Sequence, residues 1–107
     1  MDYKKILSLL GLAAKAGRVQ SGEFQTEKAI KTGQARMVIV AMDASDNTKK
    51  MFTNMCTYYE VPLHFLCNKE ELGHSIGKEF RASLAVADNG FAKALEKQMN
   101  SESVKGR

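Results

Sequence analysis

The sequence contains little cysteine and no long apolar segment, and both shortages exclude whole classes of protein. Its two cysteines, Cys56 and Cys67, do not form a C-x-x-C motif and are accompanied by only two histidines. A zinc site is therefore not expected, and a reduced, cytoplasmic setting fits. No apolar run approaches the length of a membrane span, and the N-terminus lacks a signal-peptide pattern. The single proline and the absence of tryptophan exclude nothing.

Common phosphate-binding and catalytic motifs are also missing. Neither G-x-G-x-x-G nor P-loop spacing occurs, so we expect no nucleotide cofactor. Asp43 follows a predicted buried strand, where α/β enzymes place acids, and Cys67 precedes a helix N-terminus, where a thiol pKa can fall. The polar residues that follow Asp43, residues 45–47, are more simply interpreted as a cap of the next helix. Cys67 is more simply interpreted as a buried structural thiol. The missing cofactor motifs and the short length argue against an enzyme.

Basic residues are concentrated near the N-terminus. The chain has 107 residues and a net charge of +4, enough for one domain with one core. Residues 1–36 hold seven Lys or Arg against three Asp or Glu, whereas residues 37–107 hold nine of each. The whole excess therefore lies in the first third of the chain, which favours a polyanion as the partner.

Helical and extended patterns alternate along the chain. Apolar residues at helical spacing and capping residues predict helices over 4–16, 22–32, 47–59, 68–76 and 88–100. Short apolar runs predict strands over 19–20, 36–41, 63–66 and 84–87. This alternation indicates an α/β protein with helices on both faces of its sheet, an α/β/α sandwich. We expect residues 1–99 to form a single domain and residues 100–107 a flexible C-terminal tail.

The helix predicted over 22–32 has two unlike faces. The face expected to pack on the sheet is small or apolar: Gly22, Thr26, Ala29, Ile30 and Gly33. The opposite face combines an aromatic ring, an amide and two ammonium groups, at Phe24, Gln25, Lys28 and Lys31. Nucleic acid can use such a face for stacking, hydrogen bonding and phosphate contacts, and the helix N-terminus for an anion. Alternatively, Phe24 staples the first turn to its neighbours and the lysines only aid solubility.

A second informative segment is the loop within residues 73–84, which carries Lys78, Phe80 and Arg81 at its tip. An exposed aromatic ring beside an arginine is the pairing that meets unstacked bases. The alternative is an ordinary connection in which Phe80 folds back onto the core.

Five segments in this order resemble the kink-turn-binding ribosomal protein family, the group that contains the large-subunit proteins L-seven-Ae and L-thirty-e. Within it, the chain is similar to the small bacterial YlxQ-type members. The segments are GLAAKAGRVQSG, the helix motif G-x-x-Q-T-x-K-A-I, ARMVIVAMDAS, the ELG of 71–73 with the GK of 77–78, and SLAVAD. Together they extend over most of the chain.

The resemblance implies a three-layer α/β/α sandwich with a mixed four-stranded sheet and no catalysis or cofactor. The implied partner is structured RNA, above all ribosomal RNA, with the ribosome as a possible assembly. In the family, the N-terminus of the second helix reads sheared G·A pairs, and the loop before the last strand covers a flipped-out base. The residues of this chain at those places are Gly22, Glu23, Phe24, Gln25, Lys28, Lys31, Phe80, Arg81 and Ala82.

Two places depart from the family. Phe24 stands where the family usually has Asn or Lys, and the Phe80-Arg81 pair stands where many members have a small apolar run. Kinked or internal-loop RNA is the expected ligand. Two other functions stay open at this point: a protein–protein adaptor of the same fold, and the RNA-binding partner of an RNA-modifying enzyme.

Overall fold

Five helices alternate with four strands in the computed structural model, which describes residues 3–105 and the side chains up to residue 100. The helices are α1 (Lys4–Lys15), α2 (Glu23–Lys31), α3 (Asp46–Tyr59), α4 (Lys69–Ser75) and α5 (Asn89–Lys105). The strands are β1 (Val19–Ser21), β2 (Met37–Val40), β3 (Leu63–Phe65) and β4 (Ser83–Val86). Every predicted element is present, with small shifts at the ends.

The four strands form one mixed sheet in the order β1-β4-β2-β3. The last strand, β4, lies between β1 and β2 and is antiparallel to both, whereas β2 and β3 are parallel. The register pairs Val19 and Met37 with Val86, and Ser21 with Leu84. This arrangement confirms the mixed four-stranded sheet that the resemblance implied.

The two faces of the sheet are covered by different helices. Met37 and Ile39 of β2 pack in a cluster with buried residues of α1, α4 and α5. Val38 and Val40 pack in a second cluster with buried residues of α2 and α3. Side chains along a strand alternate between faces, so an uninterrupted apolar strand requires cover on both. The three-layer α/β/α sandwich predicted from the sequence is confirmed.

Capping side chains fix the starts of α3 and α4. The Ser45 hydroxyl accepts a hydrogen bond from the Thr48 N–H at 3.1 Å, and Asn68 and Glu71 form a reciprocal capping box. The Asp43 carboxylate accepts the Lys69 N–H at 2.8 Å, so this acid joins the two helix starts.

Helix α5 continues to Lys105, beyond the expected end of the domain. The expected mobility of residues 100–107 stays a prediction, and residues 106 and 107 lie outside the described chain. Within residues 3–105, no helix combines the length and the apolar character that crossing a membrane requires.

Candidate nucleic-acid interface

The start of α2 has no side-chain cap. Gly22 is its N-cap residue, with φ 93° and ψ 160°, a conformation that is essentially confined to glycine. The Gly22 N–H donates to the Ser83 carbonyl at 3.0 Å, and the Gly22 carbonyl accepts from the Thr26 N–H at 2.9 Å. Among the residues with described side chains, none caps this helix. The N–H groups of its first turn therefore stay available to an external acceptor.

Helix α2 is buried on one side and carries the predicted polar and aromatic groups on the other. Thr26, Ala29 and Ile30 are buried, as expected. The Phe24 residue is 70% exposed, so the alternative that it staples the first turn is wrong. Three further predicted residues, Glu23, Gln25 and Lys28, are exposed as well. Gly33 is also exposed, because it lies beyond the end of the helix, so its predicted packing on the sheet is wrong.

The two lysines of this face differ in their surroundings. The Lys31 Nζ lies 3.1 Å from the Glu27 carboxylate, one helical turn earlier. Such exposed pairs contribute a few tenths of a kcal/mol, about 0.3–0.5. Lys28 has no salt bridge to any residue within 3–100. The charge of Lys28 is therefore the less compensated of the two.

The loop before β4 exposes its aromatic ring. Phe80 is 59% exposed, so the alternative that it folds back onto the core is wrong. The neighbouring Arg81 is half-buried, and its guanidinium donates from Nε to the Ser21 hydroxyl at 3.1 Å and from Nη1 to the Phe80 carbonyl at 2.7 Å. An arginine has further N–H donors beyond these two, which leaves it able to contact a phosphate or a base.

Hydrogen bonds hold this loop against the start of α2. The Arg81–Ser21 bond joins the loop to the last residue of β1, and the buried Ser83 hydroxyl donates to the Thr26 hydroxyl at 3.3 Å. Ala82 is half-buried against the α2–α3 core, and its carbonyl accepts from the Ala41 N–H at 2.8 Å. We call the combined surface of residues 22–31 and 77–82 the α2–loop face. The nine predicted site residues lie on these two segments, and their part in binding stays a prediction.

A glycine of α4 allows the loop to approach closely. A Cβ at Gly73 would lie 2.7 Å from the Glu79 carbonyl oxygen and 2.9 Å from the Phe80 Cα. The Gly73 carbonyl accepts from the Lys78 N–H at 2.9 Å, and the Lys69 carbonyl accepts from the Arg81 N–H at 3.0 Å. The backbone beneath Phe80 is therefore fixed to α4.

The structure adds residues that the sequence did not single out. A hollow of about 170 Å³ beside α2 is lined by three amide side chains, Gln20, Gln25 and Gln34, together with Lys28 and Ala29. Amides recognise base edges because they offer both donors and acceptors. Gln20 precedes α2 and Gln34 follows it, so their meeting depends on how the chain enters and leaves this helix.

The two thiols are buried and unreactive in character. Burial raises the pKa of Cys56 to about 11. Burial, with added effects of Glu71 and Asp43, raises the pKa of Cys67 to about 12. Both thiols are therefore expected to stay protonated at neutral pH, and the predicted burial of Cys67 is confirmed. Within the described residues, no group of three or more His, Cys, Asp or Glu could hold a metal ion.

Known proteins resemble this chain over nearly its whole length. Residues 4–96 match the model of the ribosomal protein L7Ae/L30e/S12e/Gadd45 family. The chain is 47% identical over 87 residues to the RNA-binding protein YlxQ of Bacillus subtilis (strain 168), which covers 81% of this chain and 87% of that protein. It is 43% identical over 92 residues to the RNA-binding protein YlxQ of Enterococcus faecium, covering 86% and 88%.

Solved structures resemble it as well. A protein of unknown function from Bacillus halodurans C superposes with a TM-score of 0.85 at 40% identity, covering 88% of this chain and 95% of that one. The Giardia lamblia 15.5kD RNA binding protein superposes with a TM-score of 0.76 at 20% identity, covering 88% and 81%. The second likeness concerns the fold alone. From the family match and the YlxQ relatives together, the chain belongs to the ribosomal protein L7Ae/L30e/S12e/Gadd45 family.

Proposed function

We propose that the protein binds structured RNA through the α2–loop face and catalyses no reaction. One observation carries the proposal: two exposed aromatic rings, Phe24 and Phe80, lie on the start of α2 and on the loop before β4. The Gly22–Ser83 and Arg81–Ser21 hydrogen bonds hold these two segments side by side. Aromatic rings left in water on the same face as cations such as Lys28 and Arg81 suit a partner with unstacked bases and phosphates. The two YlxQ relatives are both named RNA-binding proteins, which agrees with this partner.

Each part of the face has a distinct task in this proposal. Phe24 and Phe80 stack on splayed bases, and Lys28 and Arg81 contact phosphates or base edges. The uncapped start of α2 receives a phosphate or a base acceptor, as helix N-termini do. The three amides of the adjoining hollow read base edges. The rigid attachment of the loop to α4 means that little ordering cost is paid on binding.

The ligand that fits this division of tasks is kinked or internal-loop RNA. A continuous duplex hides the faces of its bases, and the deep, narrow major groove of A-form RNA excludes side chains. A sharp bend or an internal loop offers both unstacked bases and a widened groove. We infer that the protein works in translation in the cytoplasm, bound to ribosomal RNA or to a ribosome.

Direct titration tests this function. A labelled RNA with an internal loop of unpaired bases should bind at least about tenfold tighter than the same RNA with a fully paired sequence, a difference of about 1.4 kcal/mol. Equal affinities for the two RNAs would contradict recognition of a loop or kink.

Sedimentation tests the ribosomal setting. Association with ribosomes should be lost when the RNA is digested before the protein is added. Association that survives digestion would instead indicate a protein–protein adaptor of the same fold.

A further inference from the structure

A second basic surface lies at the end of the sheet opposite to Gly22 and the loop of residues 77–82. Strand β4 starts at Ser83, beside Gly22, and ends at Val86, which pairs with Met37 of β2. The Arg36 N–H donates to the Val86 carbonyl at 2.8 Å, which places Arg36 at this far end. A strand of this length separates the two ends by about 10–13 Å.

A cleft of about 490 Å³ opens there between the end of the sheet and α5. Its apolar floor includes Pro62, which is exposed, and Met37 and Ala92, which are almost fully buried. The amides of Asn89 and Asn100 lie along it. We call it the α5 cleft. Its volume falls within the range of small-ligand sites, about 300–1,000 Å³, and its lining combines an apolar surface with a few polar groups, as such sites do.

Three cations border the α5 cleft. Arg36 comes from the sheet, and Lys93 and Lys97 come from α5, and all three are exposed. Within residues 3–100, none of the three forms a salt bridge. Lys93 and Lys97 are one helical turn apart, a spacing at which like charges repel. An anion bound between them would remove that repulsion.

The single carboxylate of the lining already has a partner. Glu96 contacts the Nε2 of His64 on β3, so its charge is directed toward the edge of the sheet. The cleft therefore presents cations that are uncompensated and an acid that is engaged. Its remaining polar groups, the two amides, offer donors and acceptors of the kind that base edges use.

We propose that the α5 cleft binds a nucleotide of a single-stranded RNA segment, with the base on the apolar floor and its phosphates between Arg36, Lys93 and Lys97. A planar base suits a floor without charge, and adjacent phosphodiesters suit three cations spread over two elements. The chain has no glycine-rich loop of the kind that encloses the phosphates of a free nucleotide. A strand, whose neighbouring phosphates add contacts, is therefore the better occupant. The protein would then hold two separate RNA segments.

The test measures fluorescence anisotropy of a labelled, unstructured single-stranded RNA decamer at low salt. The variant Lys93→Gln/Lys97→Gln should weaken its binding about tenfold or more, because two phosphate contacts are lost. The matched control, Lys49→Gln/Lys50→Gln, removes the same charge from α3 and should change the affinity less than about twofold. Equal losses in the two variants would overturn the proposal, because they would indicate only general charge attraction.

Competition identifies the chemistry and the source of the ligand. Millimolar uridine monophosphate should displace the decamer weakly, and inorganic phosphate at the same concentration should not. If inorganic phosphate displaces the decamer, the cleft does not recognise a nucleotide. If the free nucleotide displaces it as efficiently as unlabelled decamer does, an RNA strand is not the preferred ligand. Either result would overturn the proposal.

This inference and the proposed function have only the RNA partner in common. Experiments can therefore reject either one without rejecting the other. The Lys93→Gln/Lys97→Gln variant should keep its affinity for internal-loop RNA within about twofold. If internal-loop RNA fails to bind while the decamer binds through the cleft, the proposed function is wrong and the α5 cleft stands. If the decamer binds equally well to both variants and to the unaltered protein, the cleft is wrong.

Discussion

In the proposed function, Phe24 is the residue expected to decide which RNA the α2–loop face accepts. Its ring supplies no hydrogen bond to a guanine edge, and an unpaired polar group in a closed contact costs about 1–3 kcal/mol. Phe24→Asn should therefore raise affinity for a standard kink-turn and lower it for the natural RNA. Phe24→Ala should weaken natural-RNA binding by about 1–3 kcal/mol, the stacking contribution of one base. Titrations of both variants against the two RNAs measure these changes.

Melting curves, and a control variant at a second exposed aromatic residue, complete that experiment. Phe24 is 70% exposed and Tyr58 on α3 is 79% exposed, so replacing either by Ala should barely change the melting temperature. Tyr58→Ala should also leave RNA affinity unchanged. An unaltered preference between the two RNAs in Phe24→Asn would show that this residue does not set specificity.

Lys28 should contribute more to RNA binding than Lys31. Lys28→Ala is expected to cost about 1–3 kcal/mol of affinity because a charge-assisted contact is lost. Lys31→Ala should cost less, because its ammonium is already paired with Glu27 at 3.1 Å. Isothermal titration of both variants measures the difference. Equal losses of RNA affinity would mean that the two lysines act only through the overall positive potential of the protein.

The buried thiols make stability depend on alkaline pH. An unfolded thiol ionises near its ordinary pKa of about 8.5, whereas Cys56 ionises only at a pKa of about 11 in the folded protein. Above pH 9 the unfolded state therefore binds fewer protons, and the free energy of unfolding falls by up to about 1.4 kcal/mol per pH unit for this thiol. The stabilising difference is fully present below pH 8 and is lost as the pH rises toward 11.

Urea unfolding at pH 7, 9 and 10 checks this expectation. Cys56→Ala lacks the thiol, so its stability should fall less steeply above pH 9 than that of the unaltered protein. Other groups titrate equally in both proteins and cancel in the comparison. Parallel pH dependences would contradict a role for Cys56.

Among the elements, helix α2 depends on the glycine at its start. Gly22→Ala should cost about 1–3 kcal/mol of stability, because φ 93° with ψ 160° strains any residue with a Cβ. It should also lower RNA affinity, because the first turn and its N–H groups shift. Gly33→Ala at the other end of α2, where φ is 76°, should cost about 1–2 kcal/mol. Its RNA affinity should stay unchanged in the folded protein.

Thermal melts paired with RNA titrations separate these outcomes. If both glycine variants lose affinity only in proportion to their unfolded fraction, the start of α2 is not part of the binding face.

Local patterns predicted most of these elements, and they failed where distant residues meet. The apolar run of β2 and the two faces of α2 were predicted because periodicity is a property of adjacent residues. The Arg81–Ser21 bond and the Gln20–Gln34 hollow were not predicted, because polar contacts between residues far apart in the sequence leave no periodic pattern. The close approach at Gly73 was not predicted either, because the backbone that packs against it, at Glu79, lies outside its helix. The strand order was not predicted, since the resemblance implied only that the sheet is mixed and four-stranded.

At the scale of the whole molecule, charge should govern the salt dependence of binding. The net charge is +4, and residues 1–36, which include α2, carry the excess. If about three to five phosphates are engaged, log affinity should fall against log salt with a slope of roughly −2 to −4. Titrations between low and moderate ionic strength measure it, and Lys28→Ala should reduce the slope by about 1. A flat response would contradict a surface that binds phosphates.

The strand order also sets when the protein becomes competent during its synthesis. β1 emerges from the ribosome early and β4 late, yet β4 lies between β1 and β2. A nascent chain that ends after β3 already has the aromatic face of α2, but it lacks Arg81 and the Ser83 carbonyl that holds Gly22. In the proposed function, a growing chain that lacks these contacts is therefore expected not to bind RNA. Binding should begin only when the last strand completes the sheet.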